Sequence, residues 1–185
     1  GKVSFAQFAA AKESKLARMP TNLRFDQAAA IAVSGLTALQ AVCDVGRVEA
    51  GQRVLIIGAS GGVGTFAVQI AKAMGATVTG VCSSAKVDLV RSLGADHVID
   101  YQHDDVTAGD TRYDLIIDMV SSSSLSQLRS MLTEHGTLVV GGVEDMGKWL
   151  GMGRQLRAVT LSPFVGQRLV MLVSKEHFSG LERLR

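Results

Sequence analysis

The stretch GASGGVG, residues 58–64, has the spacing of small residues that a phosphate-binding turn requires. It follows the pattern AxGxxG, a variant of the glycine-rich turn that seats the pyrophosphate of a dinucleotide. Ala59 would permit the tight turn, Gly61 would let the backbone approach the phosphates, and Gly64 would let a helix pack closely on the strand. We predict a dinucleotide site here, and a close-packed turn without a ligand is the alternative.

The residues that would select the cofactor lie about 20 residues beyond these glycines, at the end of the next predicted strand. An acidic residue there would hold the ribose diol of NAD, but Cys82 occupies that position. Ser83, Ser84 and Lys86 follow, and they offer hydroxyls and an ammonium to a 2′-phosphate with no carboxylate to repel it. The sequence therefore favours NADP(H) over NAD(H), unless Ser83 is only a turn residue and Lys86 a solvated surface lysine.

Short aliphatic runs alternate with segments of helical period from residue 53 onward, which is typical of βαβ units. This pattern predicts an α/β Rossmann fold, with a doubly wound six-stranded parallel sheet in a three-layer αβα arrangement. The predicted strands are residues 53–57, 77–81, 97–99, 115–118, 137–140 and 158–162. The predicted helices are residues 62–74, 86–93, 125–132 and 148–156, and Ser124 is expected to cap the third of them.

The two ends of the chain differ from this alternating pattern. Residues 5–20 have no clear period and end at Pro20, so we expect an edge strand and turn that belong to another domain. Residues 167–185 are predicted to begin as a helix and to continue as a charged, helix-like run without a terminating Gly or Pro. We expect the dinucleotide-binding domain to span residues 21–185 and to be truncated at its C-terminus.

Composition limits the partners of the chain. The 19 basic and 17 acidic side chains leave a formal charge of +2 without a dense basic block, which argues against nucleic-acid binding. We therefore expect a small-molecule partner and neither nucleic acid nor a membrane. Cys43 and Cys82 are far apart in the sequence and match neither a disulfide framework nor a metal-ligand spacing, which fits a reducing cytoplasm. The apolar segment at 28–43 is shorter than a bilayer span and predicts a buried helix.

No catalytic residue can be assigned from residue type and spacing. The four histidines form no nucleophile or metal constellation and are expected at the surface or in the core: His97, His103, His135 and His177.

Several stretches together resemble the medium-chain dehydrogenase/reductase superfamily, and within it the zinc-independent quinone oxidoreductase-like branch. They are AAAIAVSGLTALQAV, GQRVLIIGASGGVGTFAVQIAKAMGATVTGVCSS, SLGADHVIDY, YDLIIDMV and GTLVVGG. The stretch GKWLGMGRQLRAVTLSPFVGQRL resembles a subgroup of NAD(P)-dependent alcohol dehydrogenases. The resemblance implies a GroES-like catalytic domain followed by a Rossmann domain, with the substrate cleft between them. Residues 1–20 would be the remnant of that first domain.

The resemblance also implies a set of cofactor-binding residues, which we name by the part of the cofactor each would contact. The pyrophosphate would contact Gly61, Gly62, Val63 and Gly64, and the adenosine end would contact Ser83, Ser84, Lys86 and Tyr101. The nicotinamide end would contact Thr37, Gly141, Gly142, Val143, Ser162, Pro163 and Phe164. Thr37 could instead only cap or bend a helix, and the glycines at 141–142 could be only a strand-ending turn.

The resemblance implies hydride transfer between NADPH and a carbonyl, enone or quinone, with this fragment inactive alone. Zinc-dependent relatives carry a Cys ligand shortly before the SGLTAL-like segment, where this chain has Ala32, Val33 and Ser34. We therefore expect no metal. The alternatives are the NAD(H)-using cofactor domain of a zinc-type alcohol dehydrogenase and a non-catalytic nucleotide-binding module. A methyltransferase-like fold is disfavoured by Cys82, and a homodimer is expected through an edge strand at 158–164.

Overall fold

The computed structural model describes residues 10–120, 123–141, 166–173 and 177–184. Its strands are β1 (Arg53–Ile57), β2 (Thr77–Cys82), β3 (His97–Asp100), β4 (Tyr113–Asp118), β5 (Leu132–Val140) and β6 (Arg168–Met171). Its α-helices are α1 (Phe25–Leu39), α2 (Gly62–Ala73), α3 (Val87–Ser92), α4 (Leu125–Ser130) and α5 (Phe178–Arg183). A π-helical turn, Gln40–Val45, extends α1, and short 3-10 helices lie at Glu13–Lys15 and Ser84–Lys86.

The six strands form one sheet in the order β3-β2-β1-β4-β5-β6, and every neighbouring pair is parallel. The predicted Rossmann fold is confirmed. The strand order reverses between β1 and β4, because β2 and β3 extend the sheet on one side and β5 and β6 on the other. In open α/β sheets, ligands bind in the crevice beyond the carboxyl ends of the strands at this reversal.

Both faces of the sheet are covered by helices, as the continuous apolar runs of the strands require. In β1, Val54 and Ile56 belong to the core shared with α1, α2 and α3. Leu55 and Ile57 point to the opposite face and pack in the core that contains Leu128 of α4. Successive side chains of a strand alternate between faces, so a single strand contributes to both cores and fixes the three layers.

The sixth strand differs from its predicted position. Residues 158–162 and the predicted helix at 148–156 lie outside the described residues, as does the proposed dimer edge at 158–164. The described sixth strand is β6, Arg168–Met171, in the segment that was predicted to begin as a helix, and that prediction is wrong. Leu169 is buried in the core, and pairing with β5 satisfies the backbone hydrogen-bonding groups of this strand. The run has only four residues, which is too short for hydrophobic periodicity to distinguish a helix from a strand.

The segments before β1 only partly match their predictions. Residues 10–20 contain the turn Glu13–Lys15 but no strand, so the expected edge strand is not found in that part. The continuous helix Phe25–Val45 is long and apolar enough to cross a membrane, a test that the core helix of a soluble protein also passes. Its C-terminal half is buried, as predicted, whereas Phe25 and Val33 in the first half are 83% and 64% exposed.

Candidate functional site

A cavity of about 650 Å³ opens at the point where the strand order reverses. Its walls come from α1, from the loop between β1 and α2, and from the segments that follow β2, β3 and β4. None of its lining residues carries a charged side chain. The volume falls within the range of small-molecule sites, about 300–1,000 Å³, and the position is the one at which Rossmann folds bind their ligands.

The phosphate loop, residues 58–64, is held in shape by contacts of its backbone. Gly58 has a positive φ of 86°, a conformation that favours glycine. The N–H of Gly61 donates to the carbonyl of Gly58 at 3.0 Å, and that of Ala59 donates to Val81 O at 2.9 Å. A Cβ on Gly64 would lie 2.1 Å from the Gly58 oxygen, so the first turn of α2 can approach β1 only without a side chain.

The N-terminus of α2 faces the cavity without a side-chain cap. Its N-cap residue is Gly61, and Gly62, Val63 and Gly64 of the first turn all line the cavity. A Cβ on Gly61 would meet only the Gly58 oxygen, at 3.3 Å, because its other sides are open. The free N–H groups of the first turn and the positive end of the helix dipole would attract an anion here.

Three more residues of the predicted set line the same cavity. The Thr37 hydroxyl donates to Val33 O at 2.8 Å, so it both bonds within α1 and faces the cavity. Ser83 follows β2 directly and is half-buried. Tyr101 follows β3, donates its N–H to Cys82 O at 3.1 Å, and has a side chain that is 59% exposed. Residues from four separate elements of the chain therefore meet at one cavity.

The remaining residues of the set do not line this cavity or lie outside the described residues. Ser84 and Lys86 are exposed on the 3-10 turn beyond Ser83. Gly141 directly follows β5, donates its N–H to Asp118 O at 2.9 Å, and leaves room for Met119, whose Sδ would lie 2.5 Å from an added Cβ. The residues outside the described part are Gly142, Val143, Ser162, Pro163 and Phe164.

A polar cluster beside the cavity, which we call the rim cluster, consists of Ser84, Asp100, Gln102 and His103. The Asp100 carboxylate accepts the Ser84 hydroxyl and the Gln102 N–H, the latter at 3.1 Å, and lies 2.8 Å from His103 Nδ1. The Ser84 hydroxyl, followed by His103, holds the pKa of Asp100 below its usual range. The expectation that no carboxylate lies near the serines is therefore wrong, because parallel pairing places Asp100 beside Cys82.

The rim cluster contains a serine, a histidine and an aspartate but lacks the geometry of a catalytic triad. Ser84 Oγ and Asp100 Oδ2 both approach the same nitrogen, His103 Nδ1, at 3.2 and 2.8 Å. A triad requires the hydroxyl and the carboxylate on opposite ring nitrogens. His103 lies at the surface, as expected, and although it contacts Ser84 and Asp100, no catalytic residue follows from this arrangement. Within the described part of the chain, no three potential ligands lie together as a metal site.

Sequence reasoning missed part of the cavity wall. Met119 and Val120 follow β4 and line the cavity, and so does Val106. Two residues within the predicted turn and strand end, Ser60 and Cys82, also form part of this wall. Burial raises the pKa of the Cys82 thiol, so this side chain is a neutral part of the wall. The position of Met119 and Val120 directly after a predicted central strand was the signal that could have identified them.

Comparisons with known proteins agree with this geometry. A family model described as zinc-binding dehydrogenase matches residues 62–171, more than half of the chain. The chain belongs to this family, within the medium-chain dehydrogenase/reductase superfamily, which confirms the resemblance read from its sequence. A mitochondrial NAD(P)H oxidoreductase of Bos taurus is 42% identical over an alignment of 128 residues that covers 65% of this chain and 32% of that protein.

Two solved structures share the fold. The quinone oxidoreductase from Coxiella burnetii matches with a TM-score of 0.73 and 31% identity, over 88% of this chain and 48% of that one. An NAD-dependent alcohol dehydrogenase matches with a TM-score of 0.73 and 27% identity, over 93% of this chain and 50% of that one. The chain thus spans about a third of the curated relative and about half of each solved structure.

Proposed function

We propose that the chain is the NADP(H)-binding domain of an oxidoreductase that transfers hydride between NADPH and a carbonyl, enone or quinone. The observation that carries this proposal is the uncharged cavity at the strand-order reversal, into which the uncapped N-terminus of α2 points. Family membership supports a nicotinamide cofactor. The names of the Bos taurus and Coxiella burnetii proteins support oxidoreductase chemistry and, for the second, a quinone substrate.

The cofactor would supply the hydride chemistry, and this chain would bind and orient it. The backbone N–H groups of the first turn of α2 would hold the pyrophosphate. Ser83 and Tyr101 would lie beside the adenosine end, and Thr37 beside the nicotinamide ribose, all from the wall of one cavity. The apolar side chains of Met119 and Val120 would exclude water from the bound cofactor.

The preference for NADP(H) rests on Ser83 and Lys86. Lys86 is exposed, and its ammonium forms no ion pair or hydrogen bond within the described part of the chain, so it is available to a 2′-phosphate. Binding of NAD(H) is the competing outcome, and one structural relative is named as NAD-dependent.

We also propose that the reaction needs no zinc and that the fragment alone does not turn over substrate. Ala32, Val33 and Ser34 offer no ligand where the zinc-dependent branch has a cysteine. We propose that the substrate cleft lies between this domain and a GroES-like domain, as the resemblance implies. A turnover assay with NADPH and a quinone, an enone and an aldehyde should give no reduction, and measurable reduction would overturn the proposed inactivity.

We also propose that the protein is cytoplasmic and forms a homodimer. Cys43 and Cys82 are both free thiols, which fits a reducing compartment, although the Bos taurus relative is named as mitochondrial. Fractionation of cells that express the full-length protein would separate the two locations. Light scattering of the chain would report its oligomeric state, and a monomer would remove the proposed pairing through residues 158–164.

The experiment that tests the site is calorimetric titration with NADPH and with NADH. In Gly61→Val the added methyl groups would project into the open side of the phosphate loop, so we expect at least an order-of-magnitude loss of affinity for both cofactors. Ala108→Val, on an exposed turn, is the matched control and should bind as the unmodified chain does. If a Gly61→Val variant that is folded by circular dichroism still binds both cofactors, the phosphate loop is not the binding site for the pyrophosphate.

A further inference from the structure

We propose that Asp100 is the residue that limits how strongly this site distinguishes NADPH from NADH. The inference rests on the proposed cofactor-binding function and adds a determinant that acts against the 2′-phosphate. A Rossmann site that prefers NAD usually has an acidic residue at the end of its second strand. In this chain, the carboxylate comes from the end of the neighbouring strand, β3.

The register of the sheet brings Asp100 to the edge of the cavity. Asp100 of β3 pairs directly with Cys82, the last residue of β2. Three residues around this pair line the cavity, namely Cys82 itself, Ser83 after it, and Tyr101 after Asp100. The Asp100 side chain is only 17% exposed, because Ser84, Gln102 and His103 surround it. Its charge therefore lies next to the region proposed for the adenosine end.

The hydrogen bonds of Ser84 are already used inside the rim cluster. Its hydroxyl has a single proton, which it donates to Asp100, and its backbone N–H donates to Gln102 Oε1 at 3.1 Å. A 2′-phosphate could accept a hydrogen bond from Ser84 only if one of these bonds broke. Of the residues predicted to bind the 2′-phosphate, Ser83 and Lys86 can still do so. Ser84 cannot, because its hydroxyl is bonded to Asp100.

The charge of Asp100 acts in the same direction. Its lowered pKa keeps the carboxylate ionised at neutral pH. A 2′-phosphate brings about −1.5 to −2 further charges, which the carboxylate repels, whereas a ribose diol brings two hydroxyls that a carboxylate can accept. His103 Nδ1, at 2.8 Å, offsets part of the negative charge. The rim cluster therefore opposes the attraction that Lys86 exerts on the phosphate.

The test compares the dissociation constants of NADPH and NADH for the unmodified chain and for Asp100→Asn. The amide keeps the shape of the side chain but removes its charge, so NADPH should bind about tenfold more tightly, with NADH unchanged or weaker. Asp104→Asn is the matched control, because it makes the same change of charge on the same turn at an exposed carboxylate without a hydrogen bond in the described residues. Its NADPH affinity should change less than about twofold.

A second variant tests the same inference with the opposite sign. His103→Ala leaves Asp100 in place but removes its partner, so NADPH binding should weaken by about twofold to threefold while NADH binding stays constant. His103 is 74% exposed, so this variant should fold even if Asp100→Asn does not.

The outcomes separate the two proposals. If the unmodified chain binds neither dinucleotide, the proposed function fails. If it binds them but the ratio of the two constants is unchanged in Asp100→Asn, or changes equally in Asp104→Asn, the role of Asp100 is wrong. Should Asp100→Asn not fold, an unchanged ratio in His103→Ala leads to the same conclusion.

Discussion

The phosphate loop and the rim cluster both lie at the carboxyl ends of the strands, but they are built in opposite ways. The loop acts through its backbone, and an added Cβ at Gly64 would lie 2.1 Å from a carbonyl oxygen. The rim cluster acts through the side chains of Ser84, Asp100 and His103, which bond to one another near solvent. One region therefore depends on the absence of side chains, and the other on their identity.

Because of this difference, substitutions can change the affinity for both cofactors in one region and the choice between them in the other. A loop shaped by backbone contacts offers the same N–H groups to any dinucleotide, so its substitutions should affect NADPH and NADH alike. In the proposed binding mode, side chains at the rim would meet only the part in which the two cofactors differ. Substitutions there should change the ratio of affinities and leave the fold intact.

The largest expected effect is in the loop, at Gly64→Ala. The new Cβ would collide with backbone of Gly58 and Ala59, which cannot move aside as a flexible side chain can. We expect a loss of about 3 kcal/mol in the free energy of unfolding, at the upper end of the usual cost of overpacking, together with loss of cofactor binding. Urea unfolding followed by circular dichroism measures the first effect and calorimetry the second.

The control for this variant is Gly35→Ala in α1. There the Cβ would meet only side-chain atoms of Ile31 and Leu184, at 3.0 and 3.2 Å, and the helix gains from alanine. Its stability should stay within about 1 kcal/mol of the unmodified chain. Equal stabilities for the two variants would show that α2 can shift away from β1, and the contrast between the regions would then be lost.

A smaller effect is expected beside the rim cluster, in Lys86→Ala. Removing one exposed ammonium should weaken NADPH binding by about threefold to tenfold and leave NADH binding unchanged. Calorimetric titration at two salt concentrations measures both constants. Arg112→Ala provides the control, because it removes a positive charge at the amino end of β4. The cavity lies at the other end of the strands. An equal loss of NADH affinity in Lys86→Ala would show that Lys86, like the phosphate loop, does not distinguish the two cofactors.

The smallest effect is the response to acid. Asp100 has a pKa below its value in the unfolded chain, about 3.9, so its contribution to stability is complete above that pH. The contribution is lost as the pH falls through the lower, folded-state pKa. Between pH 6 and pH 3 the melting temperature of Asp100→Asn should therefore fall less than that of the unmodified chain. Identical falls would mean that the rim bonds do not stabilise the fold.

Most of the fold could be predicted from the sequence because its signals are local. The run Arg53–Ile57 matches its predicted bounds, and α2 was predicted to within one residue. The Ser124 cap is also confirmed, since its side chain accepts the N–H of Gln127 at 3.3 Å. Each of these features follows from residues within one or two turns of the chain. Strand β6 does not, because its four residues carry no period and become a strand by pairing with β5.

The candidate site divides in the same way. The phosphate loop could be recognised because its glycines are consecutive in sequence and their spacing has a steric meaning. Asp100 could not be related to Ser84, which lies 16 positions earlier. The sequence predicted a parallel sheet, but nothing local to either residue indicates that Cys82 and Asp100 lie in register on neighbouring strands.

The alternation of strands and helices, the phosphate loop and the family were all predictable from the sequence, since each depends on near neighbours in the chain. Only the tertiary structure decided that Thr37, Met119 and Ser83 share one cavity and that a carboxylate lies beside the serines. The physical reason is that a parallel sheet aligns the ends of strands that are distant in sequence. Charges placed there act through space, over a few ångströms that no local pattern records.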